Sequence, residues 1–325
     1  MSAPRRVLIT SSLAQHDPTA LEILKAAGLT PDIRHSSPTW SVDEVVAALG
    51  DAPAVIASTE RYTEEVFARA PELRVISRTG VGYDSVDVAA ATQHGVAVTT
   101  TPGANDRTVA DFAMALILAL ARRLFEADQS VRAGLWVRPE AVDMRDKVVG
   151  IVGLGAIGKH VARRAHGFEC RVLAYDVVQD LPYAERYGIR YVPLATLLAE
   201  SDFITLHAPL TAETRHLIGE RELRAMKPTA YLVNTARGPL IDEQALIRAL
   251  QEGWIAGAGL DVFEVEPLPD DSPLRGMDNV ILAPHCAGIS RESGQAMARL
   301  AAENVVAVLT GGQPVHCVNP KVLRR

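Results

Sequence analysis

Three ionisable side chains in the second half of this sequence could carry out chemistry together. Arg237, Glu266 and His285 each lie at or just beyond the end of a short apolar run typical of a β-strand. Ligands of open parallel sheets bind outside the carboxyl ends of the strands, so such residues can meet at one site. A histidine exchanges protons near neutral pH, a glutamate can orient it, and an arginine can hold a carboxylate. Each residue alone also has a structural interpretation, and only their joint occurrence predicts a site.

A glycine-rich segment indicates that a dinucleotide is bound. An apolar, strand-like run leads directly into Gly153, Gly155 and Gly158, which have the G-x-G-x-x-G spacing and open a helix. These glycines permit a tight turn, the approach of a pyrophosphate, and close packing of helix on strand. Ala156 and Ile157 would supply amides that face the phosphates. A tight turn without a ligand is the alternative for such a motif in isolation.

A second feature strengthens the dinucleotide hypothesis. The strand-like run Arg171–Tyr175 ends in Asp176, about 20 residues beyond the last glycine, as expected for a carboxylate that binds the adenosine ribose. An acidic residue there repels a 2′-phosphate, and Val177 and Val178 offer no arginine to bind one. We therefore predict NAD rather than NADP. A solvated aspartate at a strand end is the alternative.

The elements that must position these residues form two α/β series. Short β-rich runs alternate with helical stretches, which predicts parallel sheets with crossover helices. The first series has a helix at Thr19–Ala27 and expected strands at Val7–Thr10, Ala54–Ala57, Arg74–Ser77 and Gly95–Thr101. The second has six expected strands, at Val148–Val152, Arg171–Tyr175, Phe203–Leu206, Ala230–Asn234, Gly257–Val262 and Val280–Leu282. We expect an α/β protein with two doubly wound parallel sheets.

Two long helical stretches lie outside the two series, one between them and one after the second. Asp106–Arg123 is apolar almost all round, so we expect it to lie between domains or subunits. Together with the loop around Trp136, within the irregular stretch Arg132–Asp146, it predicts a homodimer. The last helix, Arg291–Leu309, is expected to pack back on the first domain.

Composition and charge exclude several classes of protein. The formal net charge is −6 and the basic residues are scattered, so no basic stripe could neutralise a nucleic acid. Cys170, Cys286 and Cys317 have no metal-binding spacing, and an odd count argues against a disulfide framework. The longest apolar run, Phe112–Ala121, is far shorter than the roughly 20 residues that span a bilayer, and the N-terminus lacks a signal-peptide core. We expect a cytoplasmic protein without a metal, a nucleic-acid partner or a membrane partner.

The three polar motifs, in this order and after this glycine motif, resemble the D-isomer-specific 2-hydroxyacid dehydrogenase family, which includes phosphoglycerate dehydrogenases and glyoxylate/hydroxypyruvate reductases. The segments Arg78–Asp84 and Leu206–Thr211 extend the resemblance over essentially the whole chain. It implies a Rossmann NAD-binding domain, residues 103–286, inserted in a flavodoxin-like substrate domain, residues 1–102 plus 287–325. It also implies hydride transfer between NAD(H) and a D-2-hydroxy acid/2-oxo acid pair.

Such a reaction needs a hydride on carbon, a proton on oxygen and a cation for the substrate carboxylate. By the resemblance, His285 would donate the proton, Glu266 would orient it and favour its charged form, and Arg237 would hold the carboxylate. Further substrate contacts are expected from Arg78, Gly80, Val81 and Gly82. Besides the glycine segment and Asp176, the expected cofactor contacts are Thr108, Ala208, Pro209, Thr214, Thr235, Ala236, Asp261, His285 and Gly288, with Asp261 near the nicotinamide carboxamide.

The substrate stays open at this point. Phosphoglycerate dehydrogenases carry an Arg-Ser segment where this chain has Ala57–Arg61, so Ala57 replaces an expected phosphate-binding arginine, although Arg61 or Arg78 could substitute for it. D-3-phosphoglycerate is therefore one alternative. An NADH-sensing corepressor-like binding protein is another, disfavoured because the chain ends shortly after its last helix. Glu266 argues against formate dehydrogenases, which resemble this chain but have glutamine there.

Overall fold

The computed structural model describes residues 5–37 and 39–324. The chain divides into two compact units, the first comprising Met1–Asn105 with Ile289–Arg325 and the second Asp106–Gly288. The second unit is thus one continuous segment, whereas the first is assembled from two. The sequence predicts these borders at 102/103 and 286/287.

Strands and helices alternate along the chain. The strands are β1 (Arg5–Ile9), β2 (Leu29–Ile33), β3 (Ala54–Ala57), β4 (Val75–Arg78), β5 (Ala97–Thr99), β6 (Val148–Val152), β7 (Arg171–Tyr175), β8 (Arg190–Tyr191), β9 (Phe203–Leu206), β10 (Tyr231–Asn234), β11 (Gly257–Leu260) and β12 (Val280–Leu282). The α-helices are α1 (Ser12–Gln15), α2 (Pro18–Ala26), α3 (Val42–Leu49), α4 (Glu64–Arg69), α5 (Val88–Gln93), α6 (Asp106–Ala121), α7 (Leu124–Arg132), α8 (Ala156–Gly167), α9 (Leu181–Arg186), α10 (Leu194–Glu200), α11 (Glu220–Arg224), α12 (Glu243–Gln251) and α13 (Arg291–Leu309).

The first unit is built on a parallel sheet with the order β2-β1-β3-β4-β5. This is the flavodoxin-like order, which reverses direction between β1 and β3 and places a ligand crevice there. Helix α13 covers one face of the sheet with small buried side chains, among them Ala298, Ala301 and Ala302. The hydroxyl of Ser77 on β4 donates a hydrogen bond to the Ala301 carbonyl at 3.0 Å. The prediction that the last helix packs on the first domain is confirmed.

The second unit contains a seven-stranded parallel sheet with the order β12-β11-β10-β9-β6-β7-β8. The order reverses at β6, as in dinucleotide-binding folds, and β6 is buried along its whole length because helices cover both faces. The predicted fold class, two parallel-sheet α/β domains, is confirmed.

Helix α6 packs mainly within its own unit. Its apolar side chains, including Met114, Leu116 and Ile117, lie in a core shared with α8 and the sheet of the same unit. Its own unit therefore covers much of its apolar surface, and a place for this helix between domains or subunits stays a prediction. Arg123, with a left-handed φ of 46°, ends this helical stretch and α7 follows. Exposed apolar side chains occur instead on α7 and the loop after it.

Two strands, β2 and β8, have no counterpart in the sequence prediction. β2 lies at the edge of the first sheet and carries Pro31 in its centre, which hides it because proline lacks an amide hydrogen and is confined to edge strands. β8, the edge of the second sheet, has only two residues. In the described ranges, no helix combines the length and the apolar character that crossing a membrane requires.

Candidate active site

The centre of the candidate site is a histidine–glutamate pair in the second unit. His285 follows β12, and its Nδ1 lies 2.7 Å from Oε2 of Glu266. The other carboxylate oxygen of Glu266 accepts a hydrogen bond from the Phe263 amide at 3.1 Å. Burial acts to raise the pKa of Glu266, but the His285 contact and Arg237 outweigh it and lower that pKa. An ionised carboxylate therefore holds Nδ1, which leaves Nε2 of the exposed ring available for proton exchange with a ligand.

Asp261 fixes the backbone that carries this histidine. The side chain of Asp261 is almost fully buried, and its two oxygens accept hydrogen bonds from the amides of Cys286 at 2.8 Å and Ala287 at 2.9 Å. The carbonyl of Asp261 accepts one from the His285 amide at 2.8 Å. His285 is thereby held at a left-handed φ of 52°, a conformation that non-glycine residues adopt only when the surroundings impose it. The sequence predicts a cofactor contact for Asp261 and misses this anchoring.

Arg237 follows β10, two strands from His285 in the sheet. Its guanidinium donates to the Ala236 carbonyl at 2.7 Å, and its own carbonyl accepts from the Asn234 side chain at 2.8 Å. A Cβ added to Gly238 would lie 1.9 Å from the carbonyl carbon of Phe263, so only glycine fits there. The Arg237 loop therefore runs directly along the loop that carries Glu266.

The predicted glycines have the geometry of a dinucleotide site. Gly153 has a φ of +94°, and a Cβ there would lie 2.7 Å from the Ala208 amide nitrogen. A Cβ on Gly158 would lie 2.2 Å from the Gly153 carbonyl oxygen, so helix α8 packs against this turn only because Gly158 has no side chain. Open space surrounds Gly155. Helix α8 starts at Ala156 with neither a side-chain cap nor an acidic residue in its first turn, which leaves its amides for phosphate.

Asp176 contacts the same turn. One carboxylate oxygen accepts from the Leu154 amide at 2.7 Å, and the other accepts from the Val178 amide at 3.0 Å. Each oxygen keeps a second lone pair, so the carboxylate can bind ribose hydroxyls while it fixes the glycine turn. Val177 and Val178 are largely exposed and contribute no positive charge.

Two buried polar atoms at the ends of β9 and β10 have hydrogen-bonding capacity that a bound dinucleotide could use. Thr235 Oγ1 and His207 Nδ1 have no hydrogen-bond partner within the described part of the chain. The other ring nitrogen of His207 lies 2.9 Å from Thr205 Oγ1, and burial lowers the pKa of His207 to about 3, so the ring is neutral. Unpaired buried polar atoms are costly unless a ligand satisfies them, and the site therefore fits a dinucleotide. The sequence prediction does not include His207, although this residue lies in the Leu206–Thr211 segment.

The remaining predicted cofactor residues also belong to the second unit. Thr108 is in the first turn of α6, Ala208 and Pro209 follow β9, and Gly288 is the last residue of the unit. Thr214 donates to the Pro209 carbonyl at 2.7 Å, and the Ala236 amide donates to the Asn234 side chain at 3.0 Å. No group of three or more metal-binding side chains occurs among the residues described.

The predicted substrate loop belongs to the first unit, where it follows β4. Arg78 donates to the Gly82 carbonyl at 3.2 Å and also to the Ser58 carbonyl. The Gly80 amide donates to Thr101 Oγ1 at 2.9 Å. In the described chain, the amides of Val81 and Gly82 donate no backbone hydrogen bond, so they can bind an anion.

Comparison with known proteins decides the family. A model of the NAD-binding domain of D-isomer-specific 2-hydroxyacid dehydrogenases matches residues 114–287. A glyoxylate reductase of Korarchaeum cryptofilum is 48% identical over 287 residues, 86% of each chain. This chain belongs to the D-isomer-specific 2-hydroxyacid dehydrogenase family.

Other relatives agree with this membership. Glyoxylate/hydroxypyruvate reductase B of Yersinia pestis is 43% identical over 317 residues, 96% of this chain and 94% of that protein. The crystal structure of a glyoxylate reductase from Paecilomyes thermophila has a TM-score of 0.86 at 31% identity and covers 99% of this chain and 100% of that one. Membership confirms the predicted oxidoreductase class, acting on 2-hydroxy acid/2-oxo acid pairs, and the NAD(P) cofactor.

Proposed function

We propose that this dehydrogenase reduces small, unphosphorylated 2-oxo acids, foremost glyoxylate and hydroxypyruvate, and that it prefers NADH. The observation that carries the proposal is the His285–Glu266 pair, exposed to solvent and close to Arg237, in a unit whose glycine turn and Asp176 suit NAD. The names of the relatives from Korarchaeum cryptofilum and Yersinia pestis support glyoxylate and hydroxypyruvate as substrates.

The residues of the trio have separate tasks in this proposal. Bound NADH supplies the hydride for the carbonyl carbon. Arg237 binds the carboxylate of the 2-oxo acid and orients the carbonyl. Protonated His285 donates its Nε2 proton to the carbonyl oxygen, while Glu266 holds Nδ1 and stabilises the charged ring. In the reverse direction, neutral His285 accepts the proton from a D-2-hydroxy acid.

The first unit argues against a phosphorylated substrate. Ala57 is fully buried and has no charge. Arg78 is engaged with the carbonyls of Ser58 and Gly82, and Arg61 is exposed to solvent. None of these three residues offers a preorganised cation for a phosphate, which disfavours the D-3-phosphoglycerate alternative.

We further propose a cytoplasmic homodimer. The exposed apolar side chains of α7 and the following loop support association, because monomers rarely expose contiguous apolar patches. The three cysteines are free, which suits a reducing compartment.

A panel of 2-oxo acids tests the proposed reaction. NADH and NADPH oxidation is measured with glyoxylate, hydroxypyruvate, pyruvate and phosphohydroxypyruvate. We expect the highest kcat/KM with NADH and one of the first two acids. A preference for phosphohydroxypyruvate would indicate a phosphoglycerate dehydrogenase. NADH binding without turnover of any of these acids would favour the corepressor-like alternative.

A further inference from the structure

Glu60 is a carboxylate enclosed in the first unit, with none of its surface exposed. Oε1 accepts hydrogen bonds from the Thr10 hydroxyl, from the Tyr62 hydroxyl at 3.0 Å and from the Ser58 amide at 3.4 Å. Oε2 accepts one from the Ser36 hydroxyl at 3.4 Å. Acidic residues are almost never fully buried unless they are paired, so this arrangement needs an explanation.

The donors to Glu60 come from loops that follow different strands. Thr10 follows β1, Ser36 comes after β2, and Ser58 follows β3. The sheet order reverses between β1 and β3, so Glu60 lies among the loops at the carboxyl-end crevice of this sheet.

Arg78 is a cation close enough to this cluster to act on Tyr62. Burial, followed by the charge and hydrogen bond of Glu60, raises the pKa of Tyr62 well above its usual value, and Arg78 acts in the opposite direction. Glu60 and Arg78 therefore act electrostatically on the same buried phenol. The guanidinium of Arg78 donates to the carbonyls of Ser58 and Gly82, which joins the Glu60 loop to the Thr79–Gly82 loop.

A second connection runs through the loop after β1. Thr10 donates to Glu60, and its neighbour Ser11 contacts Thr79, with 2.8 Å between the two hydroxyl oxygens. The start and the end of the Thr79–Gly82 loop are thus both connected to Glu60, each through one intermediate segment. The amides of Val81 and Gly82, which donate no backbone hydrogen bond in the described chain, lie at the end of this loop.

We infer that Glu60 is a positioning residue for substrate binding. It touches no substrate, but its negative charge keeps Arg78 and the loops around it in the arrangement in which the free amides of Val81 and Gly82 can bind a carboxylate. This inference rests on the proposed function, because it takes the carboxylate of the 2-oxo acid as the ligand of the loop.

Glu60→Gln tests the inference, because it keeps the shape and removes the charge. The amide oxygen can accept the three hydrogen bonds of Oε1, and the amide nitrogen can donate to Ser36, so the variant should fold. We expect the KM for glyoxylate to rise about 10-fold or more while kcat changes by less than about 3-fold, the signature of weakened binding. The affinity for oxalate, measured by calorimetry on the NADH complex, should fall in parallel, and the affinity for NADH should stay unchanged.

Asp17→Asn is the matched control, because Asp17 is a buried carboxylate of the same unit that caps α2 by accepting from the Ala20 amide. It should leave KM unchanged, because the asparagine oxygen can accept the same capping hydrogen bond. If Glu60→Gln behaved like Asp17→Asn, or left KM and oxalate affinity within about 2-fold of wild type, the inference would be overturned. Failure of the proposed function would appear in the wild type, as absent turnover, whereas failure of this inference would appear only in the variant. Because oxalate binding does not require turnover, oxalate affinity tests the role of Glu60 whether or not the wild type reduces glyoxylate.

Discussion

At the scale of single residues, the candidate site is distinguished by how firmly His285 is held. Glu266 fixes one ring nitrogen, while Asp261 fixes the backbone on both sides of the histidine. Catalytic groups work well when their geometry is set before substrate arrives, because no ordering remains to be done during the reaction. The arrangement suits a residue that must give up and regain a proton in every turnover.

His285→Gln should impair the chemical step and spare cofactor binding. Glutamine can occupy the same space but cannot transfer the proton, so we expect kcat to fall by roughly 10²–10⁴-fold, the usual effect of losing a general acid. NADH affinity, measured by fluorescence titration, should stay near the wild-type value. A variant that retained most of its kcat would remove His285 from the mechanism.

Glu266→Gln should shift the pH dependence of reduction in a defined direction. The pKa of Glu266 is lowered, so the wild-type carboxylate, 2.7 Å from Nδ1 of His285, is ionised at neutral pH. Glu266→Gln removes the negative charge beside the proposed proton donor, so the pH above which reduction fails should move downward. The measurement is kcat/KM for glyoxylate across the pH range. An unchanged alkaline limit would contradict the pairing.

Asp176 should determine which dinucleotide is used. Asp176→Ser combined with Val177→Arg removes the repulsive charge and adds a phosphate partner, so the ratio of NADPH to NADH efficiency should rise. Asp176→Ala alone should raise it less, which separates lost repulsion from gained attraction. Equal use of both dinucleotides by the wild type would place the selectivity elsewhere.

At the scale of elements, the two loops that carry Arg237 and Glu266 position each other. Gly238 lets the backbones touch, so Gly238→Ala must push them apart. Overpacking of this kind costs about 1–3 kcal/mol, and we expect a lower Tm together with a lower kcat/KM, because both loops serve the site. Gly276→Ala is the matched control, since open space surrounds Gly276, and it should change neither. Wild-type behaviour of Gly238→Ala would show that the loops are independent.

The sequence predicts an element correctly where only one kind of structure can explain the residue pattern. The buried strand β6 and the glycines after it could be recognised because few other structures require that combination. The edge strand β2 was hidden by Pro31, and no periodicity reveals that Asp261 binds the amides beside His285. Such contacts join residues far apart in the chain, so only the folded structure brings them to view. Glu60 escaped notice for the same reason.

At the scale of the whole molecule, the exposed apolar surface of the second unit predicts its association. It comprises Leu124, Phe125, Val131, Leu135, Trp136 and Val137, and Trp136 is 78% exposed. Phe125→Glu with Trp136→Glu should convert the expected dimer into a monomer, because two charges would have to be buried. Val315→Glu, at an exposed valine of the first unit, should leave the dimer intact. Sedimentation at micromolar concentration measures both, and a monomeric wild type would refute the prediction.

The division of the first unit into two chain segments has a consequence for synthesis on the ribosome. The sheet of that unit emerges early, but the apolar face formed by residues such as Val7, Ile9 and Ile56 is covered by α2 and by α13, and α13 is translated only after the entire second unit. The second unit is contiguous and can close its own core first. The nascent first unit therefore keeps the part of this face that α13 covers exposed while residues 106–288 are made. Transiently exposed apolar faces are prone to aggregation. We therefore expect the N-terminal part of the chain to bind chaperones during synthesis.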